Sequence, residues 1–94
     1  MRTFIAALLL AALVSGQGAK PSGKIDATKA RKLLDQGRKL EAEEKDKEAE
    51  AAYSDAIAAA PNDSETWRSR GRLRVLLGDY QRGIADLNQA LTVN

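Results

Sequence analysis

From Ile25 to Asn94 the apolar residues fall at helical intervals, and interruptions of that rhythm divide the stretch into four predicted helices. Asp26 precedes the first, where its carboxylate can accept from the free amides of the opening turn. Leu33, Leu34, Gly37 and Leu40 then recur at steps of three and four. Helix-forming residues continue to Glu44, where Glu44, Lys45, Asp46 and Lys47 make a charged break, a weaker punctuation than Gly or Pro. The second helix is predicted over 48–60, with Ala49, Ala52, Tyr53, Ala56 and Ile57 on one face and Pro61 to end it. Asn62, Asp63 and Ser64 offer caps to a third helix carrying Trp67, Leu73, Leu76 and Leu77, which stops at Gly78 and Asp79. Tyr80 opens the fourth, where Ile84, Leu87, Ala90 and Leu91 share a face. The expected architecture is all-α, two antiparallel helix pairs.

The beginning of the chain has a different pattern. Arg2 is followed by an unbroken apolar run over 4–14 and then by Ser15, Gly16 and Gln17, the order of a secretory signal peptide. The run is too short to cross a bilayer, which takes roughly 20 residues, so no stable membrane span is expected. It is also apolar on all sides, and so small a domain cannot bury a helix all round. Residues 1–16 are therefore expected to be a leader, cut somewhere between 16 and 19, which makes the mature protein exported, periplasmic or secreted. Residues 17–25 include QGAKPSGK, a mixture with nothing to bury, and are expected to form a flexible linker.

The helical part contains an internal recurrence. Leu33 and Trp67, Gly37 and Gly71, Ala49 and Gly83, Tyr53 and Leu87, Ala56 and Ala90, and Ile57 and Leu91 all stand 34 positions apart. That is the period of a helix-turn-helix repeat. The second copy, with Trp67, Gly71, Gly78, Asp79, Tyr80, Leu87 and Ala90 in order, resembles the tetratricopeptide repeat family. The first copy matches through Gly37, Ala49, Tyr53, Ala56 and the closing Pro61, but has Glu44, Lys45 and Asp46 where the family has Gly-Asp-Tyr. The resemblance covers about two thirds of the chain and implies a short α-solenoid of two repeats, 30–63 and 64–94, within a domain over 26–94. The small residues Gly37, Gly71, Ala49, Ala56, Gly83 and Ala90 are expected to let paired helices approach closely. Tyr53 and Leu87 are expected to fill the space between units, and Trp67 to pack against the helix of Tyr53.

Two positions of the second copy depart from the family pattern. Arg70 stands where Leu is usual and Arg74 where an aromatic is often found, both facing the hairpin; the fourth helix has Asp86 at the partner position. The first copy has uncharged Gln36 and Ala52 at the equivalent sites, so the charges come and go together. An Arg70–Asp86 pair is predicted.

The candidate chemistry is binding, and an enzyme is not expected. His and Cys are absent, which removes the usual zinc ligands, a thiolate nucleophile and the side chain best suited to proton transfer near neutrality. The acidic residues Glu41, Glu43, Glu44, Asp46, Glu48 and Glu50, interleaved with Lys45 and Lys47, lack both the order of a calcium loop and its central Gly, and are read as solvated surface. No cofactor or metal is implied. Arg68, Arg70, Arg72 and Arg74 do not form one basic stripe, because a step of two turns the helix by about 200°. With a net charge of only +2 and no aromatic stacking platform, nucleic acid is not an expected partner.

The resemblance instead implies that the first helix of each repeat lines a concave groove, which by register contains Arg31, Leu34, Arg38, Glu41, Glu65, Arg68, Arg72 and Val75. A cationic centre of this kind suits an acidic peptide or protein, held by paired guanidinium hydrogen bonds. Leu34, Arg38 and Ser69 replace the Lys and Asn of chaperone-tail-binding members, so that clamp is not implied. The expected function is that of an exported scaffold for a protein or peptide partner. The alternative is a structural self-association unit, or a piece of a longer repeat protein, with no ligand of its own. Two repeats leave Ile84, Leu87 and Leu91 on an open edge, which a homodimer could cover.

Overall fold

The computed structural model describes residues 24–93. The expected leader, most of the expected linker and Asn94 lie outside the described residues. Four helices follow one another: α1 (Ala27–Ala42), α2 (Asp46–Ala59), α3 (Ser64–Leu76) and α4 (Tyr80–Val93). α1 packs on α2 and α3 on α4 as two hairpins, joined by contact between α2 and α3. No strand occurs among the described residues, and none of these helices is long and apolar enough to cross a membrane.

The helix starts follow from their capping residues. Asp26 accepts from the Lys29 amide at 3.0 Å, and its own amide donates to the Ala59 carbonyl at 2.8 Å, which pins the start of α1 to the end of α2. Asp63 accepts from the Glu65 amide at 3.0 Å and starts α3. The second helix begins at Asp46, two residues earlier than the apolar pattern suggested, because the charged break is a tight turn.

That turn repeats. The Glu44 amide donates to Glu41 and the Lys45 amide to Leu40, both at 2.9 Å. Thirty-four residues on, the Gly78 amide donates to Val75 at 3.0 Å and the Asp79 amide to Arg74 at 2.8 Å. Both turns need a left-handed residue, supplied by Gly78 (φ 89°) in one and by Glu44 (φ 61°) in the other. The degenerate copy thus closes the same turn with a residue that adopts this conformation at a cost.

The core lies along both hairpins. Leu34, Ala49, Tyr53, Ala56 and Leu73 form one buried cluster, with Leu33 and Leu40 against it. Close approach of the helices depends on glycine. A Cβ on Gly37 would stand 2.4 Å from the Tyr53 ring, and one on Gly71 would stand 2.8 Å from the Gly83 carbonyl oxygen. On the other side, a Cβ on Gly83 would lie 2.9 Å from the Gly71 carbonyl oxygen. The α3–α4 hairpin is therefore held at backbone-to-backbone contact, a spacing that a side chain on either glycine would force open.

Much of the core face of α3 is polar. Thr66, Ser69 and Arg74 are buried while Leu76 and Leu77 are exposed. The glycine contact and the burial of Leu73 set the rotation of α3, which turns Arg74 inward and Leu76 outward. Asp86 in α4, 4% exposed, meets it. Arg70 donates to both Asp86 carboxylate oxygens at 2.8 Å, and Arg74 Nη1 donates to Asp86 Oδ2 at 2.9 Å. Arg70 also donates to Ser54 Oγ at 3.0 Å and Arg74 Nε to Glu50 at 2.6 Å. Two arginines, two carboxylates and a hydroxyl thus join α2, α3 and α4, and no buried side-chain N or O among the described residues lacks a partner.

Candidate partner-binding face

The side of the molecule formed by α1 and α3 carries most of the residues that register assigns to a groove. Position in the repeat explains their arrangement, because residues 34 apart occupy the same place on successive hairpins and so stand next to one another. Arg31 and Glu65 are such a pair, with Arg31 Nη1 donating to Glu65 Oε1 at 3.3 Å. Arg38, about two turns further along α1, also donates to Glu65 and lies 3.7 Å from Asp35. Glu65 is therefore gripped by two guanidinium groups from the neighbouring hairpin. Further along, Arg72 places Nη1 and Nη2 on the two oxygens of Glu41, each at 3.0 Å, and Tyr53 donates its hydroxyl to Glu41 at 2.7 Å.

The electrostatics follow these contacts. Burial by itself raises the Glu41 carboxyl, but hydrogen bonds from Arg72 and Tyr53 outweigh it and hold the group below the usual carboxylate value. Glu65 is lowered mainly by the hydrogen bond from Arg38, with burial opposing and Arg31 assisting. Arg72 is raised chiefly by its hydrogen bond to Glu41. Tyr53 is raised by burial first and by donation to the Glu41 carboxylate second, so its hydroxyl stays protonated well above its ordinary range.

Three of the eight groove residues sit differently from the expectation. Leu34 is wholly buried and has nothing to offer a ligand, because at its position the neighbouring hairpin covers it. Val75 is half-buried, with Cγ2 within 2.7 Å of where a Cβ on Gly83 would stand, so it faces α4. Arg68 is exposed but lines a depression with Ser64, Leu87, Ala90 and Leu91 at the outer edge of the second hairpin. Of the remaining five, Arg31, Arg38 and Glu65 form one ion-paired group and Glu41 and Arg72 a second.

Among the residues expected to be structural, Ala49, Tyr53, Ala56 and Ala90 are buried, as are Gly37 and Gly71. Trp67 is half-buried; its Nε1 donates to the Pro61 carbonyl at 2.8 Å, and the Arg70 guanidinium lies over the ring, 5.4 Å from its centre. Leu87 is half-buried, its Cγ 3.0 Å from where a Cβ on Gly71 would stand. Tyr80 does not join the core: it is 62% exposed at the start of α4.

Glu41 and Glu50, expected in a solvated acidic surface, in fact bind Arg72 and Arg74. The repeat contains a usable signal for the cross-hairpin pairs, since opposite charges one period apart, as at Arg31 and Glu65, are stacked neighbours. No such signal exists for Arg74 and Glu50, which are 24 positions apart and depend on the angle between hairpins. Among the described residues no group of acidic side chains is placed to hold a metal ion. The chain matches no protein-family model, no curated protein and no solved structure.

Proposed function

We propose that this protein is a tetratricopeptide-like binding module that captures an acidic peptide or protein segment on the face formed by α1 and α3. The observation that carries the proposal is the row of Arg31, Arg38 and Arg72, whose side chains are about half exposed although each already touches a carboxylate. A guanidinium has five donors, and the internal contacts leave several of them facing solvent, arranged across two hairpins. Glu41 and Glu65 hold the arginines in place before a partner arrives, which lowers the ordering cost of binding. The arginines of α3 do not form one basic stripe and no aromatic stacking platform accompanies them, so the partner is a polypeptide and not nucleic acid.

Binding without catalysis is the reading because the chain has no His or Cys and its buried carboxylates are engaged with arginines. The signal-like order of residues 1–16 supports a location outside the cytoplasm. Titration of glutamate-rich peptides by calorimetry tests the binding. Capture should weaken at least about tenfold in the Arg31→Ala, Arg38→Ala double variant and fade with added salt. Unchanged capture in that variant would remove the face from consideration. The self-association alternative is supported by the exposure of Ile84 and Leu91, and light scattering across a concentration series decides it.

A further inference from the structure

A second surface carries its own internal template. Ser64, Arg68, Leu87, Ala90 and Leu91 line a depression of about 300 Å³ at the outer edge of the second hairpin. The residues 34 positions earlier are Ala30, Leu34, Tyr53, Ala56 and Ile57, and every one of them is buried. In the first hairpin this surface is where α3 docks, bringing Leu73 into the cluster with Leu34, Tyr53 and Ala56, and burying Thr66 and Ser69. The chain thus displays both the closed and the open form of one docking surface. Leu91 shows the difference: it is 78% exposed, whereas its counterpart Ile57 is 7% exposed.

Two residues make the open copy selective. Ile84 replaces Glu50, so a docked helix meets an apolar side chain where Arg74 meets a carboxylate. Arg68 replaces Leu34, so the floor carries a cation, and among the described residues that cation has neither a hydrogen bond nor an ion pair. A helix that covered Arg68 without supplying an acceptor would strand a desolvated charge.

A second copy of the chain fits this surface badly. Offered head to tail, α1 presents Lys32, Asp35 and Lys39 at the positions where α3 presents Thr66, Ser69 and Leu73. Offered edge to edge, two guanidinium groups approach each other, and no carboxylate lines the depression. We infer that the edge docks an amphipathic helix of a different polypeptide, with small and apolar residues along its contact stripe and a carboxylate that pairs with Arg68. This surface adjoins the face of α1 and α3, since Arg68 stands one turn from both Glu65 and Arg72 on α3.

Fluorescence anisotropy with two labelled synthetic helices tests the inference. Both carry Ala, Thr and Leu on one stripe; one has glutamates flanking it and its twin has glutamines. The glutamate peptide should bind at least about tenfold more tightly. With the Arg31→Ala, Arg38→Ala variant as background, so that the face of α1 and α3 does not capture the glutamates, Arg68→Ala should close that gap and Leu91→Glu should abolish binding of both peptides. Circular dichroism of each variant separates lost docking from lost folding, since Arg68 and Leu91 are exposed. Equal affinity for the twins, a gap that survives Arg68→Ala, binding of neither peptide, or a concentration-dependent dimer that Leu91→Glu dissolves would each overturn the inference.

Discussion

Replacement of Asp86 by alanine should unfold most of this domain, and the reason is the arithmetic of buried charge. Asp86 accepts two hydrogen bonds from Arg70 and one from Arg74, all within 2.9 Å, at a site that is 4% exposed. Arg74 is itself 8% exposed. Without the carboxylate, Arg74 keeps only Glu50, and Arg70 keeps Ser54 and the Trp67 ring. Removal of one partner from a buried pair typically costs about 3 to 5 kcal/mol, because the charge left behind is desolvated and unmatched. A small core rarely provides more than about 3 to 5 kcal/mol in total, so the loss is comparable to the whole stability. Urea titration followed by circular dichroism measures it. The cause is separable from simple side-chain loss: Arg70→Leu, Arg74→Met and Asp86→Ala together remove both arginines and the buried carboxylate, leaving the more exposed Glu50 near Arg82, and should recover roughly 2 kcal/mol or more over the single variant. A single variant that loses less than about 1 kcal/mol, or a triple variant no better than the single, would refute the argument that the network is held by mutual neutralisation.

The two turns give a matched pair of perturbations. Glu44→Gly should raise stability by roughly 0.5 to 1 kcal/mol by relieving a left-handed conformation, and Gly78→Ala should lower it by about 1 kcal/mol, both read from thermal melts. Gly71→Leu sets a side chain against the Gly83 backbone and should cost about 1 to 3 kcal/mol or more, measured by urea midpoint, whereas Gln81→Ala on the exposed side of α4 should change little. Acid should loosen the contact between hairpins. Glu41 and Glu65 have lowered values in the folded protein, so their contribution is complete above the ordinary carboxylate value of 4.5 and is lost as pH falls through the lower folded values. Thermal melts of parent and of Glu41→Gln between neutral pH and pH 3 should show a shallower acid dependence in the variant. The opposite sign holds for Tyr53: its value is raised above 10.0, so its contribution is complete below that pH and is lost as pH climbs past it. Alkaline melts should show a smaller loss in Tyr53→Phe.

Much of the architecture was legible because it depends on local chemistry that recurs. Asp26 and Asp63 cap helices whichever way those helices later pack, and Gly78 marks a left-handed turn by its own lack of a Cβ. The spacing of Gly37 and Gly71 identifies the side on which paired helices meet, since bulk is excluded there at both positions. Comparison of one repeat with the other was enough to pair Arg70 with Asp86, because a charge that appears only together with its opposite implies contact.

The rest was decided by how the hairpins lie on one another. The apolar residues of α3 do not by themselves mark its core side, since Leu76 and Leu77 are exposed while Arg74 is buried, and a buried arginine is tolerable only because Glu50 and Asp86 arrive from two other helices. Likewise Leu34 and Arg68 occupy equivalent positions, but one is sealed by the next hairpin and the other stands open. Periodicity along a chain specifies which residues share a face of one helix. It does not specify the crossing angle and axial shift that determine which acid meets which base on another helix, and those are set by contacts between residues far apart in sequence.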